Sequence, residues 1–209
     1  VPKNLGTPGA PNSRRVANAG PAIFGVNHSP AVPDANQAVV VTARVSDPDG
    51  IGSVSLRRRN SDTGSFTTLA MRDDGIGGDA IAGDGLWSAT LAGLPAGTLV
   101  QFRIEAFDAA GSVASSVFPS GPVFASAPAV SEANIRWGDP VPFGTFTHVH
   151  SWTTPTVDNA LNADGLNNLY RDSTLVHGNL RVIYNPSIRR KGSPFTGQAD
   201  FAMTVPADD

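Results

Sequence analysis

Cysteine is absent from these 209 residues. That removes disulfide scaffolds, thiolate zinc sites and cysteine nucleophiles together, and leaves the redox compartment open. Glutamate is almost absent too. Glu105 and Glu132 are the only two, far apart, so no carboxylate pair of the glycoside-hydrolase kind can be picked out. No apolar run approaches the 18 or so residues of a membrane span. No Gly-x-Ser-x-Gly elbow occurs, and no Walker or Rossmann glycine motif precedes a helix. Net charge is −3, and basic residues concentrate only at Arg57-Arg58-Arg59 and Arg189-Arg190-Lys191, so a nucleic-acid partner is not expected.

What is abundant points to strands. With 22 glycines and 17 prolines against 40% hydrophobic residues, the chain has many turn formers and enough apolar surface for a core. The first 20 residues lack an apolar period and are expected to be a linker or the end of an upstream domain. From residue 21 to 125 short strands follow one another. Val39, Val41, Ala43 and Val45 alternate with their neighbours, and so do Val54 and Leu56. Phe66–Met71, Leu86–Leu91, and Val100, Phe102, Ile104 and Ala106 continue the series, which closes with Ser112–Phe118. Asp-Gly and Asn-Ser turns separate them. Seven strands in roughly 100 residues fit an immunoglobulin or fibronectin type III-like β-sandwich.

Residues 126–133 are expected to be a second linker, and 134–209 an incomplete α+β segment. There Phe146, His148 and His150 alternate as a strand. Thr154-Pro155 opens a helix to about Leu161, with Thr as cap and Pro at the first helical position. Leu169–His177, Leu180–Tyr184, Ile188–Lys191 and Phe201–Val205 are the expected strands around Gly and Pro turns. The chain begins at Val1 and ends on Val205-Pro206-Ala207-Asp208-Asp209, the texture of a protein's interior, so it is expected to be a fragment lacking its targeting signals.

Three segments carry family resemblances. Gly6-Thr7-Pro8-Gly9-Ala10-Pro11-Asn12 resembles the closing motif of bacterial lamin-tail domains. The stretch from Asp73-Asp74-Gly75 to Gly85-Leu86-Trp87 is similar to a loop of bacterial immunoglobulin-like surface modules. Gly178-Asn179-Leu180 through Arg189-Arg190-Lys191-Gly192-Ser193-Pro194-Phe195 resembles the N-terminal signature of CotH-type proteins, whose characterised members are atypical protein kinases using ATP and a divalent metal. Together these resemblances imply a large multidomain bacterial protein, secreted or at the cell surface. Kinase activity is not implied for the fragment itself. Such kinases hold phosphates with a lysine beyond the Arg-Gly-Ser turn, and this chain's two lysines are Lys3 and Lys191, the latter inside that turn.

Four candidate ligand sets remain. Asp73, Asp74, Asp79 and Asp84, interleaved with glycines, form an expected structural calcium loop, since calcium takes six to eight oxygens from a flexible segment. The spacing is not that of an EF-hand, and the same Asp-Gly pairs also suit plain tight turns. His148 and His150 share one side of a strand and begin a metal site if His177 or Asp158 supplies a third ligand; otherwise they are a half-buried pair. Trp87, Trp137, Trp152, Phe143 and Phe146 are candidate sugar-stacking rings, although Trp87 suits the sandwich core and the rings after the linker suit packing between modules. Arg189, Arg190 and Lys191 are a possible phosphate approach or a solvated strand end.

Three functions follow. The first is a non-catalytic structural spacer whose partners are the neighbouring domains of its own chain. The second is the front end of a CotH-type kinase, and the third is a sandwich binding polysaccharide or protein. No cofactor is expected beyond the possible structural calcium.

Overall fold

The computed structural model describes residues 16–110, 113–120, 131–140, 147–163, 169–191 and 200–205. The described chain is mainly β, with antiparallel sheets and a single short helix among the described residues. Strands β1 (Ala22–Ser29), β2 (Val39–Ser46) and β5 (Leu86–Leu91) form one sheet in the order β1-β2-β5. A second sheet has the order β4 (Thr67–Ala70), β3 (Ile51–Asn60), β6 (Leu99–Asp108), β7 (Ser115–Phe118).

Alternation explains both sheets. In β2 the odd positions Val39, Val41, Ala43 and Val45 are buried while the even positions lean outward. In β6 Val100, Phe102, Ile104 and Ala106 are buried, as their period-2 spacing predicts. These side chains, with Val54 and Leu56 of β3 and Ala89 and Leu91 of β5, belong to one apolar cluster fed by both sheets.

An eighth strand falls where the sequence suggests a linker giving way to a new segment. β8 (Ala133–Arg136) pairs with β6 from Leu99↔Arg136 to Phe102↔Ala133, whereas β7 pairs further along, from Ile104↔Phe118 to Phe107↔Ser115. The two strands therefore occupy one edge of β6 in succession. Directly after β8, Trp137 is fully buried; its main chain exchanges hydrogen bonds with Gly97 and Thr98, and its indole N–H donates to Gln37 O at 2.8 Å. Gly138 follows at φ 69°, where a Cβ would meet Ala96 Cβ at 2.5 Å, so only glycine allows the chain to leave so close to that turn.

The third sheet has the order β12 (Asp200–Thr204), β11 (Arg181–Lys191), β10 (Arg171–His177), β9 (Val149–Trp152). Helix α1 (Pro155–Ala163) follows β9 and opens as its sequence predicts, with Thr154 Oγ1 accepting the Val157 N–H at 3.2 Å. Leu180–Tyr184 and Ile188–Lys191, expected as separate strands, are one strand with a bulge. Asn185 takes φ 60°, and pairing jumps from Thr174↔Tyr184 to Asp172↔Ser187. Pro186 sits in the bulge, where its missing N–H breaks no ladder bond and its carbonyl accepts from Ser173 Oγ at 3.1 Å.

Candidate functional sites: the Asp loop and the ring-lined junction

The Asp loop joins β4 to β5, and its carboxylates fold it. Asp73 accepts three backbone N–H groups, from Gly83 at 2.9 Å, Asp84 at 3.1 Å and Gly85 at 3.1 Å. Asp79, buried, accepts Gly75 N–H at 2.5 Å and Ile81 N–H at 3.3 Å, and Asp84 accepts Leu86 N–H at 2.8 Å. Gly78 holds φ 109° where a Cβ would press on Val40 and Thr90 at 3.0 and 3.1 Å. This wrapping gathers one oxygen each from Asp73, Asp79 and Asp84 within 4.8 Å of one another, the only group of three or more such ligands among the described residues. Calcium–oxygen bonds of about 2.3–2.6 Å put opposed ligands of one ion at a similar separation. Asp74 stands apart: it accepts from Ile76 N–H and pairs with Arg72 at 3.3 Å.

The histidines are not gathered with a third ligand among the described residues. His148 Nε2 lies 2.9 Å from Asn179 Oδ1, and His150 Nδ1 lies 3.7 Å from Asp139 Oδ2. Their rings meet edge-on at 5.1 Å between centroids. His177 pairs across the strand with Val149 rather than with either histidine, and Asp158 accepts the Thr153 hydroxyl.

The pair instead begins a row of rings running into the core. His150 neighbours Trp152 at 6.4 Å, Trp152 neighbours His28 at 6.1 Å, and His28 neighbours Tyr184 at 5.8 Å. Tyr184 then meets Phe102 and Phe118 edge-on at 5.6 and 5.7 Å. Asp139 anchors the outer end, accepting Trp152 Nε1–H at 2.7 Å and pairing with Arg136 at 3.0 Å. At the inner end His28 is 2% exposed, with Nε2 3.0 Å from Ala31 O and Nδ1 bonded to the Tyr184 hydroxyl. A carbonyl can only accept, so Nε2 carries the proton and Nδ1 accepts from Tyr184. Burial pulls the imidazole down to about 4, against the Ala31 bond, which acts the other way.

No known family model, curated protein or solved structure matches this chain.

Of the aromatic candidates, Trp137 and Trp152 are buried, so neither offers an open indole face, and Trp87 is half-buried against the core. Phe143 and Phe146 lie outside the described residues, as do the lamin-tail-like motif and the end of the CotH-like motif from Gly192 to Phe195. Arg189, Arg190 and Lys191 close β11; Arg190 donates to Leu161 O at 3.4 Å, and Arg189 stacks 5.3 Å from the Tyr170 ring. His28, Asp139 and Tyr184 escape a sequence reading. His28 and Tyr184 stand 156 positions apart, and no local pattern marks either as a partner.

Proposed function

We propose that this chain is a non-catalytic structural spacer of a secreted or cell-surface bacterial protein: an immunoglobulin-like β-sandwich joined to the opening segment of a CotH-like domain. One observation carries the reading. Trp152, Val176, Val182 and Tyr184 of the C-terminal sheet belong to the same buried cluster as the cores of β2, β3 and β6. A spacer must transmit position, and a continuous apolar core resists bending where a flexible linker does not. The bacterial surface location rests on the three sequence resemblances. The cysteine-free chain allows a direct test. Spin labels on cysteines introduced at Thr68 and Leu180, both exposed, should give one narrow distance distribution. A broad distribution spanning tens of ångströms would remove the spacer reading.

The Asp loop fits the same role as a calcium staple through Asp73, Asp79 and Asp84, with Asp74 turned to Arg72. Saturating calcium should raise the melting temperature and chelator should lower it, with Asp79→Ala abolishing the difference. A transition indifferent to calcium in the unsubstituted protein would leave the loop a hydrogen-bonded turn.

A further inference from the structure

Arg57 and Arg59 of the basic run project from β3, and Arg103 stands directly opposite Arg57 on β6. Like charges facing across a strand pair are unfavourable by themselves. Here three guanidiniums also crowd one ring: their Cζ atoms lie 5.4, 4.7 and 4.8 Å from the Phe66 centroid for Arg57, Arg59 and Arg103 respectively. Arg59 is compensated, by Gln101 Oε1 at 3.0 Å and Glu132 Oε2 at 2.7 Å, on the side where Asp172 also lies near Glu132. Arg57 and Arg103 are not compensated one for one. Both draw on a single oxygen, Glu105 Oε1, at 3.2 and 2.9 Å. Among the described residues the Nε atoms of Arg57 and Arg103, both buried, have no hydrogen-bond partner, so the contact of Arg103 with Glu105 is an ion pair rather than a hydrogen bond. Two cations thus share one carboxylate beneath a ring that sheds water, with side chains 33% and 18% exposed.

We propose that the Arg57–Arg103 pair beside Phe66 is a binding site for an oxyanion, a carboxylate or sulfate group of an acidic ligand. Guanidinium forks match the paired oxygens of such groups, and here their orientation is already fixed by Phe66 and Glu105, so little side-chain freedom remains to be lost on binding. Phe66 packs against both guanidiniums, and the anion would meet the part of each side chain that stays exposed beside the ring.

Titration with sodium acetate and with sodium sulfate, against sodium chloride at matched ionic strength, tests the site through the side-chain Nε–H resonances. The resonances of Arg57 and Arg103 should move saturably with one or both oxyanions, and that of Arg72 should not. Saturation by acetate alone assigns a carboxylate ligand, and by sulfate alone a sulfate ester. Arg57→Gln should weaken binding at least about tenfold at the Arg103 resonance, and Phe66→Ala should weaken it while leaving Arg72 unchanged. Movements that never saturate, that chloride reproduces, or that Arg72 shares, would mean ionic screening only and overturn the proposal. The titration of the unsubstituted protein decides this even where a variant fails to fold.

Discussion

His28 is held neutral between two acceptor–donor bonds, and protonation would destroy one of them. A charged imidazole carries hydrogens on both nitrogens, so Nδ1 could no longer accept from Tyr184, and the charge would sit in an apolar core. The folded value near 4 lies below the ordinary 6.5, so the unfolded chain binds the proton more readily. The sign follows: His28 leaves stability intact above about pH 6.5, and stability falls as pH drops from there toward 4. The full loss is about 3 kcal/mol at about 1.4 kcal/mol per unit. Urea unfolding at pH 7.5 and pH 4.5 should show that slope, and His28→Phe should flatten it. Tyr184→Phe leaves Nδ1 buried without a donor and should cost about 1–3 kcal/mol at pH 7.5 in the same measurement.

At the scale of elements, α1 is fastened to the chain's first half by a distant carboxylate. Asp62, in the turn after β3, accepts the Thr156 N–H at 2.9 Å, beside the cap that Thr154 supplies. Hydrogen bonding to Thr156 holds the Asp62 carboxyl down near 2, so this tie persists above pH 4 and is lost as pH falls through 2. Asp62→Ala should lower stability by about 1 kcal/mol, read from a denaturant midpoint at pH 7, with Asp62→Asn losing less. The helix start was legible because Thr-Pro is a local signal; the Asp62 tie was not, since it joins residues 94 positions apart. Similar reasoning separates the strands. β2 and β6 follow from alternation alone, whereas β8 hides in a four-residue run whose pairing depends on β6. Leu180 to Lys191 looked like two strands because Asn-Pro is a turn signal, and the partner strand turned that signal into a bulge. In the Asp loop, clustering was visible and membership was not. Asp74 adjoins Asp73 in sequence, yet it lies in a bend where it accepts the Ile76 N–H and pairs with Arg72 instead.

For the molecule as a whole, the decisive quantity is cooperativity between the two-sheet core and the C-terminal sheet. Trp152 and Tyr184 of the C-terminal sheet are buried in one cluster with the cores of β2, β3 and β6, and Asn134 of β8 crosses the same boundary. Its backbone N–H donates to Thr174 Oγ1 at 2.8 Å, and its side-chain amide donates to Trp152 O at 3.3 Å. Opening the boundary would expose the Trp152 indole and strand these buried polar groups, a cost comparable to the few kcal/mol by which such a chain is stable at all. The C-terminal sheet should therefore not unfold before the rest. Far-ultraviolet dichroism, which follows all three sheets, and tryptophan fluorescence, which follows Trp87 and Trp137 together with Trp152 of the C-terminal sheet, should give coincident urea transitions. Trp137→Ala should shift both together, by about 3–5 kcal/mol, because its cavity opens into the shared core. A fluorescence transition preceding the dichroic one by a clear interval would show two independently folding units, and the continuous core would then transmit nothing from one to the other.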